Sequence, residues 1–348
     1  MKRNVLFLTG WFLMLPAVGA TPPPFDALYA FGDSLTDTGR RPAEPLLHYE
    51  GRWSNGPLWV EYMSTLLGLA YDPDKNLAHS GAQCDDTYQQ VIDFTPTNDV
   101  SLSLFVVWAG GNDFLQEYDQ HWFDDSGWDE QIRYSVGSLS NAVLNLHAKG
   151  ARFILVPNTV DVTKIPPINV LPGFSRNYLR GKVQQFNAGL KAALDSIQAG
   201  TPSLTLHQFD FYTHANLLIA NAAAFGFTKT DIDAVADVTL LDKSFDGPGA
   251  DYVFWDSIHP TTKAHRMISD WFDSVASPIP AGMTLQRSDQ QFSCTLDSLV
   301  PGRRYDFRTT DDLANWSVLH SIVAYSTDTV LALTNDSPAA FFSVKPLD

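Results

Sequence analysis

Ala27-Leu28-Tyr29-Ala30-Phe31-Gly32-Asp33-Ser34-Leu35-Thr36-Asp37-Thr38-Gly39 joins five apolar residues to a polar turn bounded by glycines. An unbroken apolar run of this length predicts a strand covered on both faces, as in a parallel sheet. Residues 102–108, 151–156 and 204–209 repeat the pattern. Helical patterns with readable ends lie among them: residues 57–67, with Pro57 at the start and Gly68 at the stop, 130–149 before Gly150, 177–199 before Gly200, and 261–275 before Pro278. Strands alternating with helices predict an α/β fold, a flavodoxin-like three-layer α/β/α sandwich with a parallel sheet.

The chain outside this region reads differently. Lys2 and Arg3 precede an apolar stretch over residues 5–15 and the small-residue end Ala17-Val18-Gly19-Ala20, the order of a secretory signal peptide cleaved after Ala20. A membrane anchor is the competing reading, but the stretch is about half the roughly 20 residues a bilayer requires. The expected location is therefore secreted or periplasmic. At the other end, the Pro-, Gly- and Ser-rich residues 277–282 read as a linker after a domain spanning 21–276. Residues 283–348 carry short alternating runs at 291–296, 305–309, 316–324, 329–334 and 340–344, which predict a small β-sandwich domain.

Composition narrows the partners. The 348 residues are 45% apolar and 18% charged, enough for a core and about two domains. A net charge of -16 repels phosphate backbones and anionic lipid, so nucleic acid is excluded as a partner, while hydrophobic contact with lipid stays open. No integral membrane segment is expected once the leader is removed. Cys84 and Cys294 are the only cysteines; they are either one disulfide or two buried thiols.

Ser34 follows the C-terminal end of the first strand, where the ligand crevice of an open α/β sheet lies. Far along the chain, Trp255-Asp256-Ser257-Ile258-His259-Pro260 sets a carboxylate three residues before an imidazole, so that Asp256 can orient His259. A serine hydroxyl needs a neutral imidazole to take its proton, and these three groups supply that chemistry. The G-x-S-x-G elbow of α/β-hydrolases is absent. Acyl transfer also needs donors for an oxyanion, for which Gly81, in Asn76-Leu77-Ala78-His79-Ser80-Gly81-Ala82, and Asn112, in Gly110-Gly111-Asn112-Asp113, qualify. Each residue has a plainer reading: Ser34 and Asp256 as helix caps, Gly81 as a turn, Asn112 as a cap. Asp33 and Asp37 read as loop anchors, His79 as a loop residue and His265 as packing. Tyr118, Trp122, Phe123 and Trp128 either wall the cleft or pack on the core. Asp231, Asp233 and Asp237 lack an EF-hand pattern, and no metal site is expected.

Taken together, Gly32-Asp33-Ser34-Leu35, Gly81, Gly111-Asn112-Asp113 and Asp256 with His259-Pro260 resemble, in order and spacing, the four blocks of the GDSL esterase/lipase family of the SGNH hydrolase superfamily. Gly51-Arg52-Trp53-Ser54-Asn55-Gly56-Pro57-Leu58-Trp59-Val60-Glu61-Tyr62 and Phe153-Ile154-Leu155-Val156-Pro157-Asn158 are similar to its subgroup of plant-type esterases, thermolabile haemolysin-like enzymes and phospholipid acyltransferases. The wording after Pro157, Asn158-Thr159-Val160-Asp161, departs from the subgroup's Leu-Pro-Asp. The resemblance implies a secreted serine ester hydrolase without a cofactor. It makes Ser34 the nucleophile, Asp256 and His259 the rest of a triad, and the Ser34 N–H, Gly81 and Asn112 the oxyanion hole. The substrate would be a small-molecule or polymer-linked ester. Acyl transfer to an alcohol, carbohydrate deacetylation and a non-catalytic binding module are the alternatives. Leu299-Val300-Pro301-Gly302-Arg303-Arg304-Tyr305 resembles fibronectin type III-like modules, implying polysaccharide or cell-surface contact through the C-terminal domain.

Overall fold

The computed structural model describes residues 25–276, 282–288, 291–310, 316–333 and 341–347. The expected leader, residues 1–20, and linker residues 277–281 lie outside the described residues. Four strands, β1 (Leu28–Gly32), β2 (Leu104–Trp108), β3 (Phe153–Pro157) and β4 (Thr205–Phe209), form one parallel sheet in the order β1-β2-β3-β4. All four fall within the runs expected of them, or within one residue.

Alternation along the strands sorts the core into two faces. Tyr29 and Phe31 of β1 and Phe105 of β2 stack on one side against Phe94, which ends α2 (Cys84–Asp93). Trp108 turns to the other side, meeting Trp59 of α1 (Trp59–Leu66) and Phe272 of α8 (Thr262–Ala276). Helices α2, α4 (Asp125–Ala148) and α6 (Gly173–Gly200) pack side by side, and α1 packs on α8. Three shorter helices, α3 (Gly111–Glu117), α5 (Pro166–Asn169) and α7 (Phe211–Ala220), complete the α/β part.

A further segment flanks β1 on the side away from β2. Asn76 bridges Ala30 in parallel sense, Leu77 N–H donates to the Ala30 carbonyl at 2.7 Å, and His79 N–H donates to the Gly32 carbonyl at 3.1 Å. The chain leaves β1 to one side, returns, and builds β2 on the other. The sheet order therefore reverses at the C-terminal end of β1, where ligands bind in open α/β sheets.

Beyond α8, β5 (Gly282–Ser288), β6 (Gln291–Asp297) and β9 (Thr329–Leu333) form one antiparallel sheet, and β7 (Arg304–Thr310), β8 (Ser317–Val323) and β10 (Phe341–Leu347) a second. Cys294, Leu296, Leu299, Tyr305, Phe307 and Ala324 form their shared cluster. Gly282, expected in the linker, is instead the first residue of β5, because its backbone pairs with Asp297. The Trp271 indole of α8 donates to the Pro301 carbonyl, so the two parts touch through the turn before β7. Both cysteines are buried free thiols, Cys84 opening α2 and Cys294 in β6, which rules out the disulfide.

Candidate active site

Gly32 ends β1 at φ +154, and a Cβ there would lie 2.2 Å from the Trp108 carbonyl oxygen. Only glycine lets the two strand ends approach this closely. The Gln90 amide of α2 reads both backbone groups of Gly32, accepting from its N–H and donating to its C=O, each at 2.9 Å. The chain then turns: Thr36 N–H and Asp37 N–H both donate to the Asp33 carbonyl, and the buried Asp33 side chain accepts from Leu35 N–H at 2.9 Å. Burial pushes the Asp33 carboxyl up to about 6.

This turn presents Ser34 to His259, with Oγ 2.8 Å from Nε2. His259 Nδ1 lies 2.9 and 2.8 Å from Asp256 Oδ1 and Oδ2. Asp256 Oδ1 also accepts from the backbone N–H of Ile258 and of His259, at 3.0 and 2.8 Å. With the carboxylate at Nδ1, the imidazole carries its proton there and offers Nε2 as an acceptor. Burial alone would raise the Asp256 carboxyl, but the charge and hydrogen bonds of His259, and a hydrogen bond from His48, outweigh it and hold the group well below the usual carboxylate range.

Residues 256–259 belong to no helix or strand, and residues 47–55 clasp the chain on either side of them. Ser54 Oγ donates to the Pro260 carbonyl at 2.9 Å, the Trp255 indole to the Leu47 carbonyl at 2.6 Å, and Asn55 joins Thr262 N–H (2.8 Å) to the Phe245 carbonyl (2.7 Å). The Trp53 ring lies 5.0 Å from that of His259 and 5.1 Å from that of His48.

The two oxyanion candidates are linked through Ala82, the residue after Gly81. Asn112 Nδ2, at the start of α3, donates to the Ala82 carbonyl at 3.0 Å, spending one of its two amide protons. Gly81 precedes Ala82 at φ +82, with open space where a side chain would stand, and its carbonyl accepts from Gln116 at 3.0 Å. Asp37 binds this segment to the Ser34 turn: it accepts from Ser80 N–H at 2.7 Å and from Arg40 N–H at 2.6 Å. Asp33 and Asp37 are therefore loop anchors, as expected. Asp113 fixes α3 from below, accepting from Cys84 N–H at 3.1 Å and Ser135 Oγ at 2.5 Å; burial pushes its carboxyl up.

The other candidates divide. His265 is fully buried, its Nδ1 accepting from Trp59 N–H at 3.4 Å, and burial pushes it down to about 3; it packs. His79 is half-buried beside Ser80. Trp128 is 1% exposed and stacks on Phe114, so it belongs to the core. Trp122 and Phe123 are exposed, and Phe123 stacks on the exposed Phe174. Asp233 and Asp237 accept from backbone and side chains of their own loop, Ala236 N–H and Thr239 Oγ1 among them. Asn158, in the departing segment, ties the end of β3 to Asp210 at 2.9 Å. His48, Trp53, Gln90 and Gln116 were not singled out by sequence. Of these, Trp53 lies in the Gly51–Tyr62 stretch, and His48 in a loop without a motif.

The chain resembles known proteins over the same region. A family model described as GDSL-like Lipase/Acylhydrolase matches residues 28–272. The thermolabile hemolysin of Vibrio parahaemolyticus is 26% identical over 284 residues, covering 72% of this chain and 63% of that protein. A GDSL esterase/lipase of Arabidopsis thaliana is 27% identical over 192 residues (49% and 51%), and the phosphatidylcholine-sterol acyltransferase of Aeromonas hydrophila 26% identical over 190 (48% and 54%). The chain thus spans between half and two thirds of these relatives' lengths. Among solved structures, an acetyl xylan esterase from Geobacillus stearothermophilus aligns with 75% of this chain and 97% of its own, at 18% identity and a TM-score of 0.43. Because the family match runs from β1 to α8 and takes in both halves of the site, the chain belongs to the GDSL-like lipase/acylhydrolase family.

Proposed function

We propose that the protein hydrolyses carboxylic esters through a Ser34–His259–Asp256 triad. The unbroken line from Ser34 Oγ through His259 Nε2 and Nδ1 to Asp256, with no contact longer than 2.9 Å, supports this reading above all. Ser34 Oγ attacks the ester carbonyl carbon while its proton passes to His259 Nε2. The carbonyl oxygen becomes an oxyanion, held by the Ser34 N–H, the Gly81 N–H and the remaining amide proton of Asn112. As the tetrahedral centre collapses, the C–O bond to the alcohol breaks and His259 returns the proton to the departing oxygen. Water then repeats the sequence on the acyl-enzyme, releasing the acid and restoring Ser34. An alcohol in place of water would make the same intermediate an acyl donor. The leader pattern of residues 1–20 supports export of the enzyme.

Apolar side chains exposed on the loops adjoining His48 and Trp255 favour an acyl chain longer than acetyl. Leu46, two residues from His48, is 87% exposed. Val238 and Leu241 are 89% and 95% exposed, in a loop tied to the site where Ala234 and Val235 N–H donate to the Phe254 and Trp255 carbonyls. Exposed aliphatic residues on such loops offer contact to an alkyl chain rather than to a sugar. Comparing p-nitrophenyl acetate, octanoate and palmitate, with Ser34→Ala as the control, tests both parts. The expected result is a higher kcat/KM for octanoate than for acetate, and a loss of at least about a thousandfold in Ser34→Ala. Undiminished turnover in that variant overturns the triad; a preference for acetate overturns the acyl-chain reading alone.

A further inference from the structure

His48 stands between two oxygens that only accept. Its Nδ1 lies 3.1 Å from the Glu44 carbonyl oxygen and its Nε2 2.9 Å from Asp256 Oδ2, with the residue 6% exposed. A neutral imidazole has one N–H and one lone pair, so in either tautomer it would turn the lone pair on one of these oxygens. The imidazolium donates to both. Asp256 is in turn arranged as an anion, since N–H groups of Ile258, His259 and both imidazoles converge on it. The Trp53 ring, 5.1 Å from that of His48, adds an aromatic neighbour for the cation.

We propose that His48 is a positioning residue held as an imidazolium, which shares Asp256 with His259 and keeps the general base neutral, and so competent, to lower pH than Asp256 alone would allow. The proposal rests on the role of His259 as base. The titratable groups acting on His48 are Glu44 on its own loop and Asp256 on the segment before α8; His259 meets the same Asp256 carboxylate, and Asp33, on the Ser34 turn, acts on His259. The Glu44 carboxylate is turned back onto the N–H groups of Leu46 and Leu47. Burial disfavours a charge on His48, yet the hydrogen bond and charge of Asp256 outweigh it and push the imidazole above its ordinary value.

A cation near Asp256 opposes a second cation on His259, so removing it makes His259 protonate more readily. His48→Gln keeps an N–H donor toward Asp256 but carries no charge. The acid limb of its kcat/KM profile on a p-nitrophenyl ester is expected to move up by about one pH unit. A residue that merely filled space would lower activity without moving that limb. Independently, 15N NMR of the intact protein at pH 7 should find a proton on each ring nitrogen of His48, a readout that needs neither turnover nor the variant. An acid limb unchanged in His48→Gln, or a single ring proton on His48, overturns the proposal. Failure of the triad itself would show separately, as turnover surviving in Ser34→Ala.

Discussion

Two carboxylates largely out of water flank the Ser34–His259 pair and have opposite acidities. Asp33 precedes Ser34, accepts from the Leu35 N–H, and is pushed up to about 6 by burial. Asp256 is also largely out of water, yet two imidazoles and two backbone N–H groups hold it well below the usual range. Burial is common to both, so the partners set the difference. A group whose ionised form is left with few donors anchors a turn; one surrounded by donors stays an anion beside His259, as the proposed triad requires.

Neutralising each carboxylate separates the two roles. Asp256→Asn is expected to cause the larger effect, lowering kcat by about 10³–10⁴-fold, because an amide offers an N–H as readily as an oxygen and no longer fixes the His259 tautomer. Steady-state kinetics across pH 5–9 measures it, and a loss below tenfold would place the orienting charge elsewhere. Asp33→Asn is expected to act on stability. Its carboxyl is harder to ionise in the fold than in the unfolded chain, so the cost is absent below pH 4, grows as pH rises toward 6, and is constant above. The variant should match the parent in urea unfolding at pH 4 and exceed it by about 3 kcal/mol at pH 8. Equal stability at both pH values would mean that Asp33 ionises freely.

The same contrast explains how much of the molecule was legible in its sequence. The Ser34 turn hangs on the sheet, and an apolar strand followed by Gly32-Asp33-Ser34 is a local pattern; β1 to β4 fall where the apolar runs lie. Helix α2 was missed because Cys84-Asp85-Asp86-Thr87-Tyr88-Gln89-Gln90-Val91-Ile92-Asp93 is polar on most positions and buries only Cys84, Thr87, Gln90 and Val91. Gln90 was missed with it, since a buried amide reading the backbone of Gly32 leaves no trace at either position. The Asp256 segment is held by tertiary contacts instead. Asp256 and His259 were readable from their spacing, but His48 meets Asp256 from 208 residues away, and no local rule finds such a pair.

The smallest expected effect tests how that segment is held. Asn55 Oδ1 accepts from Thr262 N–H at 2.8 Å, the first residue of α8 and three beyond His259. The opening N–H groups of a helix have no partner within it, so Asn55 caps α8 from a distant part of the chain. Its Nδ2 at the same time fixes the Phe245 carbonyl at 2.7 Å. Asn55→Ala should therefore cost about 1–2 kcal/mol, the usual loss for a cap, seen as a lower midpoint in urea. Because the freed residue adjoins the Asp256–His259 segment rather than the sheet, kcat/KM should fall more than the stability loss alone explains, while the Ser34 turn, pinned by Gln90, keeps its geometry. A variant that loses stability but retains full kcat/KM at temperatures where it is folded would show that residues 256–259 hold their place without the clasp.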